Sequence, residues 1–295
     1  MDLAQLLVKG SNLAVIIFVV SSTFGVGLSL TVGQILAPLR NARLVVVALI
    51  ANFILVPMAA FGLWKLLRLD EPLGIGLLLC GLAAGAPFLL KLAEFAKGNM
   101  AFAVGIMVML MVLTVGYVPL VLPLVLVGTS VNPVKIAQSL VILMLIPLAI
   151  GLTIRAYAAG VAGKIRPVIG LISTISMILV VTLTIAAHFK NVISVFGTYG
   201  IFSAAIFTAI CLAVGWLFGG PDTDNKGVLA LGTAQRNTAV GFVVAGQNFS
   251  DPKVVVMIAV VMIVEFVMLV PLSRILARRK KPNPEANAGT VVDTA

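Results

Sequence analysis

A chain of 295 residues that is 61% hydrophobic and only 10% charged lacks the polar surface that a water-soluble fold needs, which points to a bilayer as its solvent. Its formal charge of +10 is scattered as Lys and Arg in short gaps between apolar runs, not gathered on one face, so nucleic-acid binding is excluded. Cys80 and Cys211 both fall inside apolar runs, so neither a disulfide framework nor a Cys/His metal site is expected.

About 20 residues of helix cross roughly 30 Å of hydrocarbon. Apolar runs of that length predict spans at 11–31, 43–67, 72–97, 100–127, 134–156, 166–187, 198–219, 226–248 and 253–277, which is nine helices in an all-α polytopic membrane protein. The first run, from Leu13 to Leu30, does not end at an A-x-A-like site and reads as a mature span, not a signal peptide. Residues 1–277 form the predicted membrane domain. From Arg278 the chain turns polar, through Arg278-Arg279-Lys280-Lys281, and 278–295 reads as a disordered cytoplasmic basic tail.

Orientation follows from the cytoplasmic retention of basic loops. Arg40, Arg43, Lys97, Arg155, Lys164, Arg166, Lys226, Arg274 and the Arg278–Lys281 cluster fall on one side. The smaller set, Lys9, Lys65, Arg68, Lys135, Lys190 and Lys253, falls on the other. The N-terminus is therefore expected outside and the C-terminus in the cytoplasm, in a plasma or bacterial-type inner membrane.

Two basic residues belong to neither side, and each lies in a predicted span beside helix-weakening sequence. Lys91 follows Gly81-Leu82-Ala83-Ala84-Gly85-Ala86-Pro87, where Pro87 removes a backbone donor and disfavours helical angles at Ala86. Arg236 lies in the polar block Gly232-Thr233-Ala234-Gln235-Arg236-Asn237-Thr238. A lone charge at membrane depth costs at least about 2.5–3.5 kcal/mol, so it faces protein or a cavity. The interrupted spans, 72–97 and 226–248, are five helices apart. That spacing predicts inverted repeats, about 11–127 and 134–277, whose broken helices cross near the midplane at a substrate site.

Plainer roles compete with this one. Arg236 can form a structural ion pair with Glu265, midway along the last span. Lys91 can pair with Glu94 three residues on or snorkel to the surface. His188 reads as an interfacial residue. Tyr117, Tyr157, Tyr199, Trp64 and Trp216 read mostly as aromatic belts at span ends.

The stretches Phe24-Gly25-Val26-Gly27-Leu28-Ser29-Leu30, Ile50-Ala51-Asn52-Phe53-Ile54-Leu55-Val56-Pro57 and Ala96-Lys97-Gly98-Asn99, with the block ending Arg236-Asn237, resemble the bile acid:sodium symporter family in order and spacing over most of the chain. The resemblance implies a nine-helix form with panel and core domains. Substrate and sodium would be held where the third and eighth spans, both discontinuous, cross.

The family's sodium ligands transfer poorly. Its Glu-x-Gly-x-Gln-Asn pattern falls on Gly232-Thr233-Ala234-Gln235-Arg236-Asn237, so the acidic ligand becomes Gly232 and the Gln ligand becomes Arg236, while Asn237 is kept. The Ser-Asn pair falls on Leu89-Leu90, the Thr ligand near Met107, and Asn52 replaces a Gln. A guanidinium has no acceptor and stays protonated. At about 4 Å it would repel sodium by roughly 4 kcal/mol at an effective dielectric of 20, near a thousandfold in affinity. Both sodium sites are expected to be absent, with Arg236, aided by Lys91, holding the crossed helix ends in place of the ion.

Helix N-termini and the bidentate donors of Arg236 would suit a carboxylate or sulfate. The expected substrate is a small organic anion, carboxylate or bile-acid-like, against Gln235, Thr233, Thr238, Asn237 and Asn52, with Phe88, Leu89, Leu90 and Met107 as apolar lining. No cofactor is expected, and the expected partners are that anion and the lipid bilayer. Coupling is open between proton exchange at Glu265 or Glu94 and facilitated diffusion. A sodium symporter using backbone carbonyls, Thr233 and Thr238 stays as an alternative, as does a membrane sensor or enzyme. No HExxH, GxSxG, P-loop or paired catalytic carboxylates are visible, so no catalytic residue is expected. Neither oligomeric state nor a single substrate is legible in these residues.

Overall fold

The computed structural model describes residues 3–36, 41–126, 131–196 and 198–278. The tail expected to be disordered lies outside these residues beyond Arg278, as do Arg40, Arg279, Lys280 and Lys281. The described residues form α1 (Leu3–Ser29), α2 (Ala42–Leu66), α3 (Glu71–Leu82), α4 (Leu89–Phe95), α5 (Met100–Val125), α6 (Pro133–Tyr157), α7 (Ala159–Ala187), α8 (Phe189–Phe196), α9 (Gly200–Phe218), α10 (Thr223–Ala234), α11 (Thr238–Asn248) and α12 (Pro252–Arg278). A five-residue helical turn, Val32–Leu36, follows α1.

Among the described residues, seven of these helices, α1, α2, α5, α6, α7, α9 and α12, are long and apolar enough to cross a membrane. The chain is a polytopic helical membrane protein. The other two predicted spans are broken into α3–α4 and α10–α11, with residues 83–88 and 235–237 outside helix.

Two differences from the sequence reading stand out. α7 begins at Ala159 instead of 166, because hydropathy marks membrane depth and not the end of a helix that Ala and Lys can continue. The short helix α8 was not foreseen. His188 joins α7 to α8, half-buried, and burial lowers its imidazole below the ordinary histidine range.

The helices pack as two groups. α1 lies along α7 and α6, while α2–α5 and α9–α12 form a second bundle. α1 and α6 approach at paired glycines, the usual device where lipid supplies no hydrophobic drive and backbones must touch to gain dispersion contacts. A Cβ on Gly27 would stand 2.4 Å from the Leu148 carbonyl oxygen, and one on Gly151 2.5 Å from that of Phe24. Gly151→Ala is therefore expected to cost about 1–3 kcal/mol by overpacking, measured as a lower melting temperature in detergent. Gly62→Ala, with nothing within 4 Å of the new methyl, serves as the neutral comparison.

Prolines inside two spans release carbonyls that distant hydroxyls then take up. Pro57 has no N–H for the Phe53 carbonyl four residues back, and the Tyr117 hydroxyl donates to that oxygen instead. Tyr117 thus sits within α5, not in a belt at a span end. Pro147 likewise frees the Leu143 carbonyl, and Thr23 Oγ1 of α1, whose closer acceptor is the Val19 carbonyl at 2.8 Å, lies 3.4 Å from it. Each proline follows a π-helical segment, Ala51–Leu55 and Val141–Leu145, an insertion that tends to gather at functional positions. The first carries Asn52.

Candidate functional site

The break between α10 and α11 is three residues long, and each of them bonds across to the other broken helix or to α12. The Asn237 backbone N–H donates to the Ala83 carbonyl at 2.9 Å, and its Nδ2 donates to the Gly85 carbonyl at 3.1 Å. Thr114 Oγ1 accepts from the Ala84 N–H at 3.0 Å and donates to the Ala84 carbonyl at 3.1 Å. Irregular backbone at membrane depth is tolerated only with such replacement partners.

Arg236 is fully buried, and its guanidinium is shared among the ends of two helices and the side chain of Asn52 in α2. Nε donates to the Cys80 carbonyl at 3.0 Å and Nη2 to the Gly81 carbonyl at 2.8 Å. Nη1 donates to Asn52 Oδ1 at 2.8 Å and to the Thr233 carbonyl at 3.1 Å. Cys80 and Gly81 lie in the last turn of α3 and Thr233 in the last turn of α10, where unpaired carbonyls carry partial negative charge. One fixed cation thus neutralises two helix C-termini.

Asn52 is oriented by the same cluster, with Nδ2 donating to the Ala48 carbonyl at 3.0 Å and to Thr233 Oγ1 at 3.2 Å. Buried Glu265 of α12 accepts from the Arg236 backbone N–H at 3.2 Å and from Gln235 Nε2 at 2.9 Å. Gln235 Oε1 is the one buried side-chain polar atom without a partner among the described residues. Thr238 Oγ1 contacts Met262 Sδ at 3.2 Å.

Beside the crossing, between the two helix groups, lies a cavity of about 340 Å³. Its walls are one face of α1 (Phe18, Ser21, Ser22, Gly25, Ser29), one face of α7 (Arg166, Gly170, Ser173, Thr174, Met177), Ala86–Phe88, and Gln235–Ala239. Met262 and Phe266 of α12 complete it, with Phe88 set edge-on to Phe266 at a centroid distance of 4.6 Å. A second cavity of about 390 Å³ includes Gln34, Glu94 and Met100 and shares Ser29, Leu90, Lys91 and Arg166 with the first.

Of the residues singled out from sequence, Gln235, Arg236, Asn237, Thr238 and Lys91 border the first cavity, while Glu94 borders only the second. Asn52, Thr233 and Glu265 are buried behind them. Several expectations need correction.

The guanidinium of Arg236 does not pair with Glu265, because carbonyl and amide oxygens take its N–H groups and the carboxylate takes the backbone N–H instead. For the same reason Arg236 offers no bidentate grip to a substrate, as four of its five donors are already bonded. Lys91 is not at the crossing. It forms a 2.8 Å ion pair with Glu94, both side chains 60% exposed.

Leu89 and Met107 are packed away and leave Phe88 and Leu90 as lining. A Cβ on Gly232 would lie 2.8 Å from Leu89 Cδ2, so two positions singled out as lost ligands fill one another's space. Sequence reasoning missed the hydroxyl-bearing faces of α1 and α7. Their signal was present as small and polar residues at helical spacing, for instance 166, 170, 173, 174 and 177, on an otherwise apolar span.

The sequence model of the Sodium Bile acid symporter family matches residues 15–195. An uncharacterized sodium-dependent transporter of Bacillus subtilis (strain 168), YocS, is 24% identical over 77% of this chain and 72% of its own length. Two probable chloroplastic sodium/metabolite cotransporters of Oryza sativa subsp. japonica are also similar. BASS2 is 26% identical over 79% of this chain and 57% of its own length, and BASS1 is 22% identical over 85% and 62%. The chain thus spans less than two thirds of the rice proteins. With more than half of its residues matched by the family model, the chain belongs to the Sodium Bile acid symporter family.

Proposed function

We propose that this protein is a secondary transporter that moves a small organic anion by alternating access, with Arg236 occupying the place that sodium has in relatives. The observation that carries this reading is the guanidinium bonded at once to the last-turn carbonyls of α3 and α10. A tethered cation there supplies the attraction that holds two crossed helix ends together. The residues at the crossing do not fit a sodium ion. Gly232 has no side chain, Leu89 is apolar, and Arg236 repels a cation.

Family membership and the transporter descriptions of the relatives support a membrane transporter. The α1–α6–α7 group acts as panel and the remaining helices as core. The nine spans are the seven long helices and the two broken pairs, with the halves about 11–127 and 134–277 as inverted repeats. The cavity between the groups holds the substrate, and the larger set of basic residues on the side of Arg166 supports a cytoplasmic location for that end.

The relatives' names favour a second reading, a sodium symporter whose ion uses carbonyls, Thr233 and Thr238. Purified protein in liposomes, assayed with labelled carboxylates, separates the two. Uptake is expected to persist when sodium is replaced by choline, and its collapse would overturn the sodium-independent reading. Glu265→Gln assayed across pH separates proton coupling from facilitated diffusion, since an unchanged pH profile removes this carboxyl from the scheme.

A further inference from the structure

We propose that Arg166 binds the anionic group of the substrate, at the neck where the two cavities meet. This rests on the reading of the chain as an anion transporter and gives that reading the ligand that Arg236 does not supply. Arg166, on α7, borders both cavities, and so does Lys91 on α4. Among the described residues Arg166 makes no ion pair and is not among those with further contacts. It brings a full fork of five donors to the neck. The other two cations at the cavity wall are engaged, Arg236 by four acceptors and Lys91 by Glu94.

Two cations facing one neck repel each other, and an anion between them turns that repulsion into two charge-assisted contacts. The Lys91–Glu94 pair is exposed and weak, so an entering carboxylate competes for the ammonium while taking a bidentate bond from Arg166. Arg166 belongs to the α1–α6–α7 group and Lys91 to the other bundle. A carboxylate held by both ties the two groups together only when the carrier is loaded. Ser29 at the neck, and Ser22 and Thr174 on the first cavity's wall, donate to carbonyls of their own helices and so offer acceptor oxygens to the rest of the molecule.

The same guanidinium chemistry could serve a lipid phosphate, so the test is run in two lipid compositions. Wild type, Arg166→Gln and Arg166→Lys are reconstituted in phosphatidylcholine with and without phosphatidylglycerol, and uptake of labelled lactate, succinate and glycocholate is measured. Arg166→Gln is expected to raise the half-saturating concentration of the transported anion about tenfold, with the maximal rate nearly unchanged in both lipids. Arg166→Lys, which keeps the charge but not the bidentate fork, is expected to recover only part of the loss. Subsaturating uptake should also lose much of its dependence on ionic strength in Arg166→Gln.

An unaltered half-saturating concentration in Arg166→Gln overturns the proposal and leaves the transport reading intact. An effect seen only with phosphatidylglycerol assigns Arg166 to lipid and also overturns it. Failure of wild type to take up any carboxylate overturns both readings together. Equal melting temperatures for the three proteins are expected, because no described ion pair is lost.

Discussion

Arg236→Gln is expected to abolish uptake and to destabilise the purified protein by about 3–5 kcal/mol. The guanidinium satisfies Asn52 Oδ1 and the carbonyls of Cys80, Gly81 and Thr233, none of them with access to bulk water. A glutamine amide has two N–H groups and a shorter reach, and only the Cys80 carbonyl keeps another donor, the Ala83 N–H, so at least one acceptor is left without a partner at about 1–3 kcal/mol. Removal of the positive charge also leaves Glu265 as an unbalanced carboxylate in the bundle.

The double variant Arg236→Gln/Glu265→Gln is accordingly expected to be more stable than Arg236→Gln alone, by chemical or thermal melting in detergent. Arg236→Lys keeps the charge but loses the planar fork, so it should fall between wild type and Arg236→Gln. Stability of Arg236→Gln equal to that of wild type would show that the guanidinium does not hold the crossing.

Gly85→Ala should be nearly as damaging, although it adds one methyl group. Gly85 has φ +78 and lies in the break between α3 and α4. Its new Cβ would stand 2.2 Å from the Met111 nitrogen and 2.6 Å from the Met107 oxygen. Both are backbone atoms inside α5, which cannot turn aside as a side chain would. The left-handed conformation costs an alanine about 1–2 kcal/mol and the forced separation of the break from α5 about 1–3 more.

The carbonyl of Gly85 is also the acceptor for Asn237, so displacement here opens the contact between the two broken helices. Gly220→Ala isolates the conformational part, because Gly220 shares φ +78 but its nearest neighbour is a Leu44 methyl at 3.9 Å. The expected order in melting temperature and in uptake is wild type, then Gly220→Ala, then Gly85→Ala. Equal losses in the two variants would mean that the approach to α5 is not tight.

The long helices were legible because bilayer thickness sets run length, and the breaks were legible because Pro87 and the polar block from Thr233 to Thr238 cannot continue a helix in hydrocarbon. Arg236 was legible as a cation expected to hold the crossed helix ends, but its hydrogen-bond partners were not. Those partners are mainly carbonyl oxygens, which every residue carries and no sequence marks. Glu265 was therefore the visible candidate and took the backbone N–H instead of the guanidinium. Tyr117 and Thr23 were hidden for a related reason, since each answers a vacancy made by a proline in another helix. Arg166 was counted among loop cations because α7 begins before its apolar run does, and so its place on a cavity wall went unseen.

On the proposed reading, a positive charge that is part of the polypeptide makes the return journey with the carrier, so each cycle leaves no metal ion on the far side. A monovalent anion moved alone would then answer to its own concentration ratio and to the membrane voltage. At 100 mV, negative inside, that voltage is worth about 2.3 kcal/mol per charge, or roughly fiftyfold in favour of efflux. On the proposed sodium-free reading, and with no proton moved alongside, an anion carried in this way is driven toward the positive side of the membrane.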